Sequence, residues 1–449
     1  MTALRELKFM ECWQLQQLPD ILSQLSSLEH LEIKSCPTLT VLPDELGNGM
    51  QRLRYLHLDN CSSLTHLPPS FSALTSLETL KIMQAKRFTG TLLDDFCCLK
   101  ALKELVIYDM PRLSALPASF SGVFSLTSLE VINCPRVTVL PQGIGRLESL
   151  EVVKIALMDG LKRLPASLVE LPRVRVLEVR VCGGVGALLG DELVLKRTAR
   201  GSSSASSNST ARSSTSRVVL PSLNTLKMKC LPFQTLGPSL GQLSSLTKLK
   251  LLDMDSLVSP PEAICQLSRL RRLWIDSAMR LEALPDTFGA LAGLRVLQLE
   301  LVLLGLKQVR SLPESFAQLP KLQVLLVTAC NKLARVPSSI RRMPTLREYD
   351  ISECPSLSWQ DRRGLRGREN EEDEEEEGVA VDEGEEGGGE EVEGEERGYV
   401  VGEGEEMDGE EEGAESGGED WGISHEYGLD SEDDGDDDGW RASDDDEEA

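Results

Sequence analysis

Residues 28–46 read LEHLEIKSCPTLTVLPDEL, and their spacing decides the fold. Leu31 and Ile33 lie two apart, the period of a strand, so they share one face while Glu32 points the other way. Past Leu42-Pro43 the apolar residues fall three apart, as Pro43 and Leu46, which suits a helical or 3₁₀ turn whose first position tolerates proline. One short strand, one loop and one outer turn make the unit. It recurs: prolines stand at 19, 43, 68, 117, 141, 165, 261, 285, 313 and 337, mostly 24 residues apart. The gap of 49 holds two units, and the gap of 96 holds three units plus an insertion of 24 residues.

Fourteen copies of the L-x-x-L-x-L pattern run from Leu4 to Ile351. No single unit can bury its own leucines, so the units are expected to stack into one continuous core, with a parallel sheet lining a concave surface and the proline turns outside. The predicted class is an α/β repeat solenoid over residues 1–359. Lys196 to Arg217 interrupts it with a Ser-rich run of five cations and no acid, predicted to be a disordered insertion. Residues 360–449, rich in Glu, Asp and Gly, are predicted to form a disordered acidic tail.

Charge separates these parts. Glu369 to Ala449 carries 40 acidic and 2 basic residues, a net of −38, so the preceding 368 residues carry +12 within the chain's total of −26. The insertion accounts for five of those positive charges and Arg362, Arg363, Arg366 and Arg368 for four, leaving the solenoid near +3. The tail is expected to repel nucleic-acid phosphate, so no direct nucleic-acid binding is predicted. It is expected to hold basic proteins, or to mask basic residues of the solenoid intramolecularly. No apolar stretch approaches 18 residues, and Met1-Thr2-Ala3-Leu4-Arg5-Glu6 lacks the layout of a signal peptide. No membrane contact is predicted, and the cytoplasm is the expected compartment, with the nucleus second.

Eleven cysteines are present, an odd number. Cys12, Cys36, Cys61, Cys134, Cys182, Cys330 and Cys354 recur three residues after the last strand apolar, where other units carry Met, Ala or Val. A slot that accepts those types is a small buried site, where a reduced thiol acts as a hydrophobe. Zinc spacing is absent, no cofactor is expected, and reduced thiols imply a reducing compartment.

The consensus L-x-x-L-x-L-x-x-C-x-x-L-x-x-L-P-x-x-[IF]-x-x-L, with Leu42-Pro43, Leu116-Pro117, Leu140-Pro141 and Leu284-Pro285, resembles the leucine-rich repeats of plant intracellular disease-resistance receptors over about residues 1–358. The resemblance implies a leucine-rich repeat horseshoe and a recognition role in defence sensing or signalling through protein partners. No G-x-x-x-x-G-K-[ST] loop exists in the chain, so the nucleotide switch of that family is not carried over. Met1 stands inside a repeat without a polar cap, as expected for a piece of a larger receptor or for an end that something covers. Phe88-Thr89-Gly90-Thr91-Leu92 resembles the repeats of plant extracellular receptors, but occurs once. A leucine-rich domain with an acidic tail also resembles acidic leucine-rich nuclear phosphoproteins, which implies the alternative of a histone-binding regulator or chaperone.

In-register parallel strands would align equal offsets into rows across the sheet. The row between the strand apolars runs from Lys8, Glu32, His57 and Lys81 to Lys250, Trp274, Gln298, Leu326 and Asp350. Lys227, Lys229, Lys248, Lys250 and Arg272 place five cations on three adjacent strands beside Trp274, with acids nearby only at Asp253 and Asp276. Cations held together against repulsion are a candidate site for an acidic partner, and Trp with Arg is common in binding hot spots. Tyr55, His57 and Asp59, with Tyr108 two strands on, form a second candidate contact. Neither a catalytic nor a metal role is predicted for it, because no third ligand or nucleophile accompanies His30 and His57. The chain is therefore not expected to be an enzyme. Ser203 and Thr215 follow arginines by three residues, whereas Ser416, Ser431 and Ser443 precede acids by three, so all five fit short phosphorylation patterns.

Overall fold

A computed structural model of the 449-residue chain describes residues 4–92, 95–182, 219–258, 262–300 and 308–358. The chain divides into two units, Met1–Glu376 and Glu377–Ala449, and every described residue lies in the first. The expectations for 196–217 and 360–449, including Ser203, Thr215, Ser416, Ser431 and Ser443, fall outside the described residues.

Each apolar-x-apolar motif becomes a five-residue strand. The strands are Glu6–Met10, His30–Lys34, Tyr55–Asp59, Thr79–Met83, Glu104–Tyr108, Ser128–Ile132, Val152–Ala156, Val176–Arg180, Thr225–Lys229, Lys248–Leu252, Arg272–Asp276, Val296–Glu300, Val324–Thr328 and Glu348–Ser352. They form one open, 14-stranded parallel sheet whose order follows the sequence. Register is strict: Lys8 faces Glu32, Glu32 faces His57, and the row continues through Lys250, Trp274 and Gln298 to Leu326 and Asp350. The strand Thr225–Lys229 pairs directly with Val176–Arg180, so the residues between them leave the sheet unbroken. Gly90–Thr91 pairs with Leu113–Ala115 in a small separate ladder.

After thirteen of the strands the next residue adopts a left-handed backbone, from Glu11 to Glu353, with φ between 47° and 55°. In eleven of these its N–H donates to the last carbonyl of the following strand, as from Glu11 to Lys34 at 3.0 Å and from Val181 to Lys229 at 2.9 Å. This turn carries the chain off the sheet and fastens it to the next repeat. Asn60, Asp109, Asn133 and Asp253 tolerate the conformation, whereas Leu157 and Val181 adopt it against the crowding of a bulky side chain.

Among the described residues the outer turns are 3₁₀ helices such as Ala118–Gly122, Asp286–Ala290 and Glu314–Gln318, with one short α-helix at Leu46–Gly49. In these three 3₁₀ turns proline does not occupy the first helical position, as its spacing suggested, but caps the turn one residue earlier, whereas Pro69 and Pro238 do begin theirs. Pro117, Pro285 and Pro313 are extended, with φ from −59° to −65° and ψ from 137° to 147°. The cap carbonyl is what the turn needs: it accepts from the third residue on, as Pro117 from Phe120 and Pro285 from Phe288, both at 3.1 Å. Those third residues are core anchors. Phe71, Phe120, Phe288 and Phe316 are fully buried, and the Phe288 and Phe316 rings meet at 5.6 Å between centroids.

All eleven cysteines are free thiols, and Cys36, Cys61, Cys134, Cys182, Cys330 and Cys354 are buried. They also hydrogen-bond: Cys182 Sγ donates to the Arg180 carbonyl at 3.2 Å and Cys354 Sγ to that of Ser352 at 3.2 Å. The slot thus combines apolar packing with a weak donor for the carbonyl that ends each strand. Burial pushes the Cys61 and Cys134 thiols up to about 12.

Candidate functional site

Alternation along each strand sends its second and fourth residues into the core and its first, third and fifth onto the opposite face. Leu31 and Ile33 are therefore fully buried, while His30, Glu32 and Lys34 share the face with Tyr55, His57 and Asp59 of the next strand.

At the N-terminal end of this face, Glu32 is the hub. Lys34 Nζ lies 2.9 Å and Lys8 Nζ 3.4 Å from its carboxylate, with His57 Nδ1 at 3.5 Å and His30 Nε2 at 4.0 Å. Glu32 is only 8% exposed, and the hydrogen bond from Lys34 holds its carboxyl down at about 2. Burial lowers the His57 pKa, and the nearby Lys34 charge lowers it further. A neutral imidazole that donates from Nδ1 to Glu32 leaves Nε2 as a buried acceptor without a hydrogen-bond partner. The His30 and Tyr55 rings stack at 4.1 Å, and the Tyr55 hydroxyl reaches within 3.5 Å of His57 Nδ1. Sequence reasoning named Tyr55, His57 and Asp59 but missed Glu32 as the carboxylate that His57 shares with Lys8, Lys34 and His30. Tyr108 ends a strand two registers from Asp59 on the same face. No group of three potential metal ligands occurs among the described residues.

Moving along the face, charges pair across strands: Lys81 with Glu104 at 2.9 Å and Lys154 with Glu130 at 3.1 Å. Glu178 turns away from Lys154 and binds Arg180 at 2.8 Å and Lys227 at 3.4 Å. This corrects the expectation that Lys227 lacks an acid of its own. The insertion separates Glu178 from Lys227 in sequence but leaves them side by side in the sheet. Lys229 likewise binds Asp253, at 3.2 Å.

This compensation is missing at Lys248 and Arg272. Lys248 and Arg272 stand opposite each other, Arg272 is exposed, and neither has a carboxylate within 4.0 Å among the described residues. Lys250 stands opposite Trp274, its Nζ 4.7 Å from the ring centroid, within cation–π range of the ring's electron-rich face. The cationic patch is therefore narrower than its five residues imply. Its uncompensated part is Lys248 and Arg272, flanked by the Lys250–Trp274 pair.

Comparison with known proteins agrees with this architecture. The Leucine Rich Repeat family model matches residues 52–74. No curated protein matches the sequence. Among solved structures, a leucine-rich repeat protein of Leptospira interrogans aligns with a TM-score of 0.50 at 21% identity, over 81% of this chain and 87% of that one. The Toll–Spatzle complex of Drosophila aligns with a TM-score of 0.50 at 16% identity, over 70% of this chain and 38% of that one. At such identities the likeness is one of fold. The described part of this chain has the leucine-rich repeat fold, an open horseshoe-type solenoid of parallel strands.

Proposed function

We propose that the chain is a protein-recognition scaffold that binds its partner on the sheet face, in plant-type defence sensing or signalling within the cytoplasm. The observation that carries this reading is the break in charge compensation at Lys248 and Arg272, next to an amphipathic Trp274. Elsewhere the face neutralises itself through Glu32, Lys81–Glu104, Lys154–Glu130 and Glu178–Lys227. An unpaired Lys248–Arg272 pair beside an aromatic ring is an acceptor for an acidic surface, because like charges on adjacent strands repel until an anion joins them. The consensus with its Leu-Pro and Cys positions supports the defence assignment, which rests on resemblance to plant intracellular receptors.

Transient expression in leaf cells, with proximity labelling, tests the reading. The wild-type chain should label a defined partner and alter an elicitor-triggered cell-death response. Arg272→Glu combined with Trp274→Ala should lose both effects at equal protein level. Equal labelling and response from the variant would refute it.

A further inference from the structure

A second row of side chains lies along the edge where the strands begin. The residue before each strand is Arg5, Glu29, Arg54, Glu78, Lys103, Thr127, Glu151, Arg175, Asn224, Thr247, Arg271, Arg295, Gln323 and Arg347 in turn. The backbone holds them at repeat spacing: the Arg295 N–H donates to the Arg271 carbonyl and that of Arg347 to Gln323, both at 2.8 Å.

The two halves of this row differ electrically. In the first half the signs alternate and pair, with Arg5 and Glu29 at 3.8 Å, Glu78 between Arg54 at 3.7 Å and Lys103 at 2.6 Å, and Arg175 with Glu151 at 3.8 Å. In the second half the acids disappear. Arg271, Arg295 and Arg347 are exposed, and exposed Arg269 and Lys321, each two residues before the same row, join them. None of the five has a carboxylate within 4.0 Å among the described residues. Gly293 stands where neighbouring repeats carry Arg269 and Lys321, so no side chain fills the space between those two.

These residues line two adjoining hollows, of about 360 and 320 Å³, that share Arg295 and Lys321. Neither has a carboxylate or an aromatic ring in its lining. From the Thr247 repeat to the Arg347 repeat the trough crosses four strand spacings, about 19 Å, which an extended chain spans in about six residues.

We propose that this trough is a second binding surface, distinct from the Lys248–Trp274 face, and that it takes an extended acidic segment of a partner protein. Guanidinium groups pair with carboxylates through two parallel hydrogen bonds, and four of the five cations are arginines. The lining has no ring on which a base could stack, unlike surfaces that hold single-stranded nucleic acid.

The test is fluorescence anisotropy on the full chain with a fluorescein-labelled octaglutamate peptide, with an octalysine peptide and a 12-nucleotide oligothymidine as the other arms. Octaglutamate should bind at low salt, weaken as salt rises, and lose at least tenfold in affinity when Arg271, Arg295 and Arg347 are all changed to Glu. Arg136→Glu with Arg163→Glu, charge reversals at exposed loop positions outside both surfaces, should change that affinity less than twofold, which separates the trough from a general charge effect. No octaglutamate binding, an unchanged affinity in the triple variant, or tighter binding of oligothymidine than of octaglutamate would each overturn the proposal.

Discussion

Lys250 Nζ sits 4.7 Å from the centroid of the Trp274 ring, on directly opposed residues of adjacent strands. The contact holds the indole on the sheet face, beside Lys248 and Arg272. A fixed amphipathic ring loses little conformational entropy when a partner covers it, so Trp274 is the expected anchor of the interface. Trp274→Ala should weaken partner binding by about 2 kcal/mol or more, roughly thirtyfold in Kd. Stability should fall by only about 1 kcal/mol, since a half-exposed cation–π contact contributes about that much. Titration calorimetry and urea unfolding on the same samples separate the two effects.

Glu32 governs a pH response at the other end of the face. Its carboxyl is held at about 2 by Lys34, below the ordinary carboxylate value, so its contribution is fully present above about pH 4.5 and is lost as pH falls through about 2. Glu32→Gln should cost about 2 kcal/mol at pH 7, because Lys8 and Lys34 lose their shared acceptor. Parent and variant should converge in urea midpoint near pH 2. His57 adds an effect at milder pH: its pKa is lowered by burial, so stability is lost as pH drops below 6.5, and His57→Asn should flatten that part of the profile.

The left-handed turns offer a stability test that touches no partner surface. Val181, with φ 47°, is a β-branched residue where other repeats carry Asn or Asp. Val181→Asn should raise stability by about 1 kcal/mol by relieving backbone strain. Asn133→Val should lower it by more, because it also loses the 2.9 Å hydrogen bond from Asn133 to Asp109. Urea midpoints read both.

Thiol chemistry should follow burial. Iodoacetamide at pH 8 should modify partly exposed Cys12 and Cys97 in the native protein, while Cys36, Cys61, Cys134, Cys182, Cys330 and Cys354 react only in urea. Peptide mass mapping identifies the sites.

Much of this was legible in residues 28–46 and their copies. Apolar pairs two apart could only be short strands, a fixed period forced parallel register, and the row from Lys8 to Asp350 is a consequence of the repeat itself. Lateral pairing was harder to read. Glu178 chose between Lys154 and Lys227, a choice set by side-chain conformation and by Thr225–Lys229 docking directly across the insertion. Glu32 was visible as one member of an alternating row but not as the acceptor for groups on three strands, because Lys34 and His30 occupy other rows of the same face. The Arg271, Arg295 and Arg347 edge carried a signal that went unread. They share one offset just before the strand, outside the apolar motif that drew attention. The proline shift from first helical position to cap lies below what spacing alone resolves, since both placements leave the apolar period unchanged.

Site-specific photo-crosslinking tests the central claim most directly, with benzoylphenylalanine placed at Gln298, in the row beside Trp274, or at exposed Phe124, which lies off the sheet strands. A discrete adduct from position 298 that disappears when Arg272→Glu and Trp274→Ala are added is the predicted result. Adducts from position 124 alone, or adducts from 298 that survive those changes, would contradict it.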